Sequence, residues 1–265
     1  MVFRTLYQPY KWLVVLPLFI ISTVCFILAG MVIVFLCGSD AANRITGWRW
    51  ARFNSSIVPV RVTVRGREHV TPGQSYIVVA NHESHFDIFV LWGNLRMDAR
   101  WVMKKELRRI PLFGLAGKLG GNIYIERGYT KAAYEDLEQA RKMLVDGVSL
   151  IMFPEGSRSR DGKLGRFRKG AFVLSRNLGI PLLPVSLVGT RSILPPGTLN
   201  LLPGHVTVFI HEPVPVEGYS DENLDSLIST VQTAIQRGID TAVSAAGNGS
   251  GKAPEDAVVM KPNRA

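Results

Sequence analysis

The residues best suited to chemistry follow a short apolar run at positions 76–80. This run leads directly into Asn81-His82-Glu83-Ser84-His85-Phe86-Asp87. A turn that opens into a helix would bring the Asp87 carboxylate back onto the His82 imidazole. An aspartate on one ring nitrogen fixes the tautomer and leaves the other nitrogen as a general base. The sequence holds no G-x-S-x-G nucleophile elbow and no nearby cysteine, so we expect the base to act on a substrate hydroxyl.

Two other interpretations of this segment stay open at this point. His82, His85 and Asp87 would suit a metal ion, although their spacing is not H-E-x-x-H and no distant third ligand is evident. Alternatively, Asp87 simply begins a helix and His82 is a surface residue. We predict no metal site.

Two further polar segments also follow predicted strands. Residues 153–159 read FPEGSRS, in which Gly156 lets the backbone approach a ligand and Arg158 can bind a phosphate with two nitrogens. Glu155 and Arg158 could equally form a structural ion pair. Residues 121–127 read GNIYIER and end in a charged pair, and Lys105 lies upstream of them.

Alternating strand and helix patterns position these segments. Apolar runs predict seven strands at residues 60–64, 76–80, 101–103, 123–125, 148–153, 182–187 and 206–210. Apolar residues at helical spacing predict helices at 130–146 and 221–243. The pattern indicates an α/β domain with a mixed, largely buried sheet flanked by helices.

An uncharged stretch of 26 residues, 12–37, precedes this domain. It exceeds the roughly 20 residues that cross a hydrocarbon core. Three interpretations compete: a transmembrane helix, a pair of helices dipping into one leaflet and broken near Pro17 or Gly30, and a cleaved signal peptide. Basic residues after the stretch slightly favour a cytoplasmic C-terminal domain. Cys25 and Cys37 both lie inside it and are interpreted as apolar side chains.

Composition limits the remaining possibilities. The chain has 265 residues, 47% of them hydrophobic, which excludes a disordered protein, and two cysteines cannot build a disulfide framework. The net charge of +10 suits a phosphorylated substrate or an anionic membrane, and no nucleic-acid-binding motif accompanies it. We predict an anchor at 1–45, an α/β domain at 46–243 and a disordered tail at 244–265.

Taken together and in order, these segments resemble the 1-acylglycerol-3-phosphate (lysophosphatidic acid) acyltransferase family and its glycerolipid acyltransferase relatives. The resemblance covers roughly residues 60–213. The family motif N-H-x-x-x-x-D matches residues 81–87, G-x-x-F-I-D/E-R matches 121–127 with Tyr124 for Phe, and F-P-E-G-T-R-S matches 153–159 with Ser157 for Thr. An apolar run around Pro184 corresponds to the fourth motif.

The resemblance implies a mechanism and a set of site residues. His82, oriented by Asp87, would deprotonate the free hydroxyl of a lysophospholipid, which would attack an acyl thioester without a covalent enzyme intermediate. Lys105, Arg127 and Arg158 would bind the acceptor phosphate, and Glu155 and Gly156 would shape the glycerol pocket. Substrate-binding roles are also implied for Asn81, Ser84 and Ser157.

The expected co-substrate is acyl-CoA or an acyl carrier protein thioester, with no bound cofactor. The expected partners are the lysophospholipid, the bilayer and acyl carrier protein, and nucleic acid is not expected. The alternatives are the same chemistry on a lyso-ornithine lipid, another lysophospholipid or glycerol 3-phosphate, or a non-catalytic lipid-binding membrane protein. We expect the protein in a bacterial cytoplasmic membrane, with its domain on the cytoplasmic face.

Overall fold

The computed structural model describes residues 2–110, 113–125, 142, 144, 147–247 and 258–259. Within these residues one mixed sheet forms the centre of the fold, in the order β4-β3-β5-β2-β6-β7-β1. A two-residue strand, β8, pairs antiparallel with β1 at the edge. Among the other seven strands only β6 and β7 pair antiparallel. The strands are β1 (Val60–Arg65), β2 (Ile77–Ala80), β3 (Ala99–Lys104), β4 (Ile123–Ile125), β5 (Ser149–Met152), β6 (Leu182–Val188), β7 (Gly204–Ile210) and β8 (Val258–Val259).

The α/β prediction is confirmed, and each of the seven predicted strands is present with its ends shifted by at most two residues. Of the predicted helices, 221–243 is present as α8, whereas 130–146 lies outside the described residues except for positions 142 and 144. The described helices are α1 (Val2–Tyr10), α2 (Leu16–Ala42), α3 (Trp48–Ser56), α4 (Phe86–Leu95), α5 (Phe113–Leu119), α6 (Gly170–Leu178), α7 (Thr190–Ile193) and α8 (Leu224–Gly247).

The two faces of the sheet carry different layers. Every residue of β2 is buried, as expected for a central strand that pairs in parallel on both sides. Val78 and Ala80 belong to one apolar cluster, which includes residues of α3 and α4. Ile77 and Val79 point the other way, into a second cluster built with α6 and α8. β2 therefore packs against both layers.

The N-terminal helices form a hairpin. The helical conformation is interrupted at Gly38, whose φ of 87° is readily adopted by glycine alone. The two arms then run side by side: the Ser22 hydroxyl donates to Asn54 Oδ1 at 3.0 Å, and the Trp50 indole N–H donates to Thr23 Oγ1 at 3.1 Å. A helical pair broken at Pro17 or Gly30 is therefore not what is seen.

The positions of Pro17 and Gly30 explain why neither breaks the helix. Pro17 lies in the first turn of α2, where a missing N–H costs little, and follows a π-helical turn at Lys11–Val15. Gly30 is buried and faces the second arm, where a Cβ would make an ordinary contact, 3.8 Å from Thr46 Oγ1. The helical stretch Leu6–Ser56 contains a window whose length and apolar composition would suffice to cross a membrane.

The second arm of the hairpin packs tightly on the α/β domain. A Cβ at Gly93 of α4 would lie 2.9 Å from the Arg52 backbone of α3. At the turn of the hairpin, the fully buried Arg100 of β3 pairs with Asp98 and with Asp40. Asn43 donates to the Ala99 carbonyl at 3.0 Å. The division into an anchor and a domain at residue 45 stays a prediction, and it falls within this docked second arm.

A larger side chain at position 93 should loosen this docking. Gly93→Val forces α3 away from α4, and overpacking of this kind costs about 1–3 kcal/mol. We expect a lower unfolding temperature in detergent micelles. Gly170→Ala in α6, where a Cβ would meet nothing within 4 Å, is the control and should leave stability unchanged or slightly raised. Equal effects of the two substitutions would contradict this account of the packing.

Candidate active site

The loop between β2 and α4 holds a histidine and an aspartate in direct contact. Asp87 lies in the first turn of α4, is fully buried, and accepts from His82 Nδ1 through Oδ2 at 2.7 Å. The same oxygen accepts the backbone N–H groups of Glu83 at 2.8 Å and Ser84 at 2.9 Å. The residues predicted as catalytic are thus brought together, in the geometry expected from their spacing.

The imidazole of His82 is held in one orientation. Its ring stacks on Phe153, with centroids 3.9 Å apart and planes 7° from parallel. Because Nδ1 is directed at the Asp87 carboxylate, the ring carries its proton there and presents Nε2 as the basic nitrogen. The side chain retains 14% exposure, so Nε2 remains within reach of a substrate. The sequence shows Phe153 only as part of a motif and does not predict this stacking.

Glu155 connects the His82 loop to the following segment. Its Oε1 accepts the His82 backbone N–H at 2.8 Å, and its Oε2 accepts the Gly165 N–H at 2.9 Å. Burial raises the pKa of Glu155, and these two donors counteract part of that rise. Gly156 has a φ of 72°, and a Cβ there would lie 2.7 Å from Arg168 Nε. The predicted roles of Glu155 and Gly156 in a glycerol pocket stay predictions.

Asn81 and Ser84 are occupied by the protein itself. Asn81 exchanges two hydrogen bonds with the backbone of Leu187 in β6, at 2.8 and 2.7 Å. The Ser84 hydroxyl donates to the Leu194 carbonyl at 2.7 Å and accepts the Phe86 N–H at 3.0 Å. Both side chains are buried. Their predicted contact with substrate stays a prediction. The hydrogen bonds that they make within the protein fix the conformation of the loop.

Of the predicted phosphate-binding residues, Arg158 is the one that the described structure places beside the histidine loop. Arg158 is half-buried and lies near His85. Burial is the main cause that lowers the pKa of the His85 imidazole, and the charge of Arg158 is the next. Ser157 beside it is exposed. Lys105 is exposed and follows β3. In the sheet, β5 lies between β3 and β2, the strand that precedes His82. Arg127 lies outside the described residues.

Sequence reasoning missed Glu83 and Arg191. Arg191 donates through its guanidinium to the carbonyls of Ser159 at 3.1 Å and Arg160 at 2.6 Å, while the Ser159 N–H donates to the His82 carbonyl at 2.8 Å. The Glu83 carboxylate accepts a backbone hydrogen bond from Arg191. Burial, followed by the charge of Asp87, raises the pKa of Glu83 to about 7. A signal was present, because Arg191 also follows a buried strand and a glycine.

Known proteins resemble this chain over most of its length. Residues 61–188 match the family described as Acyltransferase. A 1-acyl-sn-glycerol-3-phosphate acyltransferase of Chlamydomonas reinhardtii is 32% identical over 233 residues, which are 87% of this chain and 68% of the relative. A chloroplastic enzyme of the same name from Arabidopsis thaliana is 34% identical over 168 residues, 62% of this chain and 46% of that relative, so the chain spans less than half of that protein.

The fold has a solved counterpart of similar size. The crystal structure of the 1-acyl-sn-glycerophosphate (LPA) acyltransferase PlsC from Thermotoga maritima superposes with a TM-score of 0.74 at 29% sequence identity, covering 89% of this chain and 98% of that one. The extent of these matches leads to one assignment. This chain belongs to the 1-acyl-sn-glycerol-3-phosphate acyltransferase family of enzymes.

Proposed function

We propose that this protein transfers a fatty acyl group from a thioester donor to the sn-2 hydroxyl of 1-acylglycerol 3-phosphate, giving phosphatidic acid. The observation that carries the proposal is the contact between His82 Nδ1 and the buried Asp87 carboxylate, at 2.7 Å. The names of the relatives supply the acceptor. The donor is acyl-CoA or an acyl carrier protein thioester, and no bound cofactor takes part.

His82 acts as the general base. Its Nε2 takes the proton of the acceptor hydroxyl as that oxygen attacks the thioester carbonyl, and the buried Asp87 stabilises the imidazolium that forms. The tetrahedral intermediate collapses, the carbon–sulfur bond breaks, and the thiolate receives the proton from the imidazolium. The ester, the free thiol and the neutral histidine balance the reaction, and no side chain becomes acylated.

The acceptor phosphate is bound by Arg158. Its guanidinium is half-buried beside His85 and, within the described residues, makes no side-chain hydrogen bond or ion pair. A planar guanidinium can hold two phosphate oxygens. Lys105 and Arg127 remain proposed as further phosphate contacts, and Ser157 lies next to Arg158 to assist.

The remaining motif residues position the reacting groups. Asn81 attaches the loop to β6, and Ser84 attaches it to the segment after α7. Glu155 and Gly156 shape the wall on the other side of His82, and Arg191 clamps the carbonyls that follow Arg158. We therefore assign Asn81, Ser84 and Arg191 to positioning.

The hairpin brings the domain to the lipid. Exposed apolar side chains line α2, among them Ile20, Leu28 and Phe35. A surface of this kind is stable in hydrocarbon and unfavourable in water. We propose that the hairpin inserts into the cytoplasmic membrane of a bacterium, with the α/β domain on the cytoplasmic side, where both acyl donors occur.

Removing the base should lower activity strongly without releasing the protein from membranes. His82→Ala is expected to lower kcat by about 10²–10⁴-fold, the usual worth of general-base catalysis. The measurement is phosphatidic acid formation from 1-acylglycerol 3-phosphate and acyl-CoA by protein reconstituted in vesicles. His205→Ala, which removes an exposed histidine that contacts Thr63 on the far strands of the sheet, is the matched control. Turnover by His82→Ala near the wild-type rate would disprove the assignment.

Replacing Arg158 should weaken binding of the acceptor and leave binding of the donor unchanged. Arg158→Gln is expected to raise KM for 1-acylglycerol 3-phosphate about tenfold, because a hydrogen bond to a charged group is lost, and to leave KM for the acyl donor unchanged. Monoacylglycerol, which lacks the phosphate, should be used equally poorly by variant and wild type. Arg160→Gln, an exposed arginine two residues away, is the control. A rise in KM for the donor would instead place Arg158 in the donor site.

Glu83 should make stability depend on pH. Because the pKa of Glu83 is raised to about 7, the folded chain keeps a proton that the unfolded chain releases near pH 4–5. The free energy of unfolding therefore falls as pH rises from the pKa of Glu83 in the unfolded chain to its pKa in the folded chain. Glu83→Gln removes this decrease. We expect the variant to be more stable than wild type at pH 8, by up to about 3 kcal/mol, and close to wild type at pH 4.

Thermal unfolding at the two pH values measures this difference. Glu68→Gln, at an exposed glutamate, should change stability equally little at both. A Glu83→Gln effect that is the same at pH 4 and pH 8 would contradict the raised pKa.

A further inference from the structure

A concave region adjoins Glu155 on the side of the sheet away from the hairpin. The cavity measures about 520 Å³. The segment before α6 supplies one wall with Arg166, Arg168 and Lys169, and α8 supplies the other. Phe167 and Ile228, both buried, form its apolar floor. A concave site of this volume with an apolar floor and a few polar groups has the dimensions of a small-molecule site.

The charges of this cavity favour an anion. Lys169 pairs with Asp225 of α8 at 3.0 Å, and both side chains are exposed. Arg166 and Arg168 are also exposed, and within the described part of the chain their guanidinium groups make no side-chain hydrogen bond or ion pair. Glu155 is the other carboxylate of the lining, and its oxygens are already used by two backbone N–H groups. Two arginines thus remain for a ligand.

The cavity communicates with His82 through a single side chain. Glu155 accepts the His82 N–H with one oxygen and the Gly165 N–H with the other. The Gly165 carbonyl in turn accepts from Gln232 of α8 at 3.4 Å, and Gln232 lines the cavity. A ligand bound at Arg166 and Arg168 therefore lies next to the wall that holds the proposed base.

The cavity and the hairpin lie on opposite faces of the sheet, so each substrate has its own side from which to approach. The hairpin and α4 cover one face of the sheet, whereas α6 and α8 cover the other. A lysolipid approaches from the apolar hairpin. A water-soluble co-substrate has access from the opposite face, where the cavity opens among exposed cations. Each substrate of the proposed reaction carries phosphate, and Arg158 is assigned to only one of them.

We propose that this cavity binds the phosphate groups of coenzyme A when it carries the acyl chain. The inference rests on the proposed acyl transfer and assigns a binding site to the acyl donor. A nucleotide fits a concave site with an apolar floor. A protein carrier would instead require a broad surface of about 800 Å².

Two thioester donors, one with the phosphorylated nucleotide of coenzyme A and one without it, test the proposal. The double variant Arg166→Gln/Arg168→Gln is compared with wild type using palmitoyl-CoA and palmitoyl-N-acetylcysteamine, which has the same thioester and no phosphate. We expect KM for palmitoyl-CoA to rise about tenfold or more, with kcat/KM for the N-acetylcysteamine thioester and KM for the lysolipid unchanged. Arg61→Gln, which removes an exposed arginine on β1, should change none of these values.

Calorimetric titration of free coenzyme A into the full-length protein in detergent gives a readout independent of catalysis. Affinity should fall about tenfold in the double variant and stay unchanged in Arg61→Gln. If wild type binds coenzyme A in this way but transfers no acyl group, the proposed function fails while the cavity assignment stands. Equal losses with both thioesters, a rise only in KM for the lysolipid, or a loss confined to palmitoyl-acyl carrier protein would each overturn the assignment.

Discussion

The conformation of the whole site depends on one buried carboxylate. Asp87 has no exposed surface, and a charge in such a place is costly unless hydrogen bonds replace the water it has lost. Three donors converge on a single oxygen, two of them backbone N–H groups of the loop and the third His82 Nδ1. The loop can supply all three only if it winds tightly between β2 and α4. The same requirement therefore sets both the path of the loop and the orientation of the imidazole, and Asn81 and Ser84 hold the ends of that path.

Two further carboxylates lie close to Asp87, and their mutual repulsion has to be offset. Glu155 uses both oxygens on backbone N–H groups. Burial, and after it the charge of Asp87, raise the pKa of Glu83 to about 7, although Arg191 opposes the rise with its charge and a backbone hydrogen bond. A proton on Glu83 relieves the crowding of charge.

The sequence predicted the strands and the histidine–aspartate contact because both follow from local patterns. Alternating or continuous apolar residues mark strands, and a separation of five residues across a turn permits few geometries. The sequence does not predict the hairpin turn at Gly38, because Pro17 and Gly30 are equally able to interrupt a helix. Packing between the two arms decides which of these three positions becomes the turn. Arg191 was missed because its partners are backbone carbonyls of a segment 31 and 32 residues earlier. Contacts of that kind leave no pattern in the residue types.

The proposed reaction joins two molecules of opposite solubility, and the sheet offers each a separate face. Successive residues of a strand point to opposite sides, so β2 packs Val78 and Ala80 against the hairpin layer and Ile77 and Val79 against α6 and α8. The chain beyond the end of such a strand adjoins both layers. His82 lies two residues past the end of β2, and Glu155 on the neighbouring strand's loop borders the cavity on the side of α6 and α8. A base placed anywhere along the strand itself would be reached from one face only. For the proposed reaction, the end of a central strand is therefore the position that lies closest to both layers, and so to both of the proposed substrate sites.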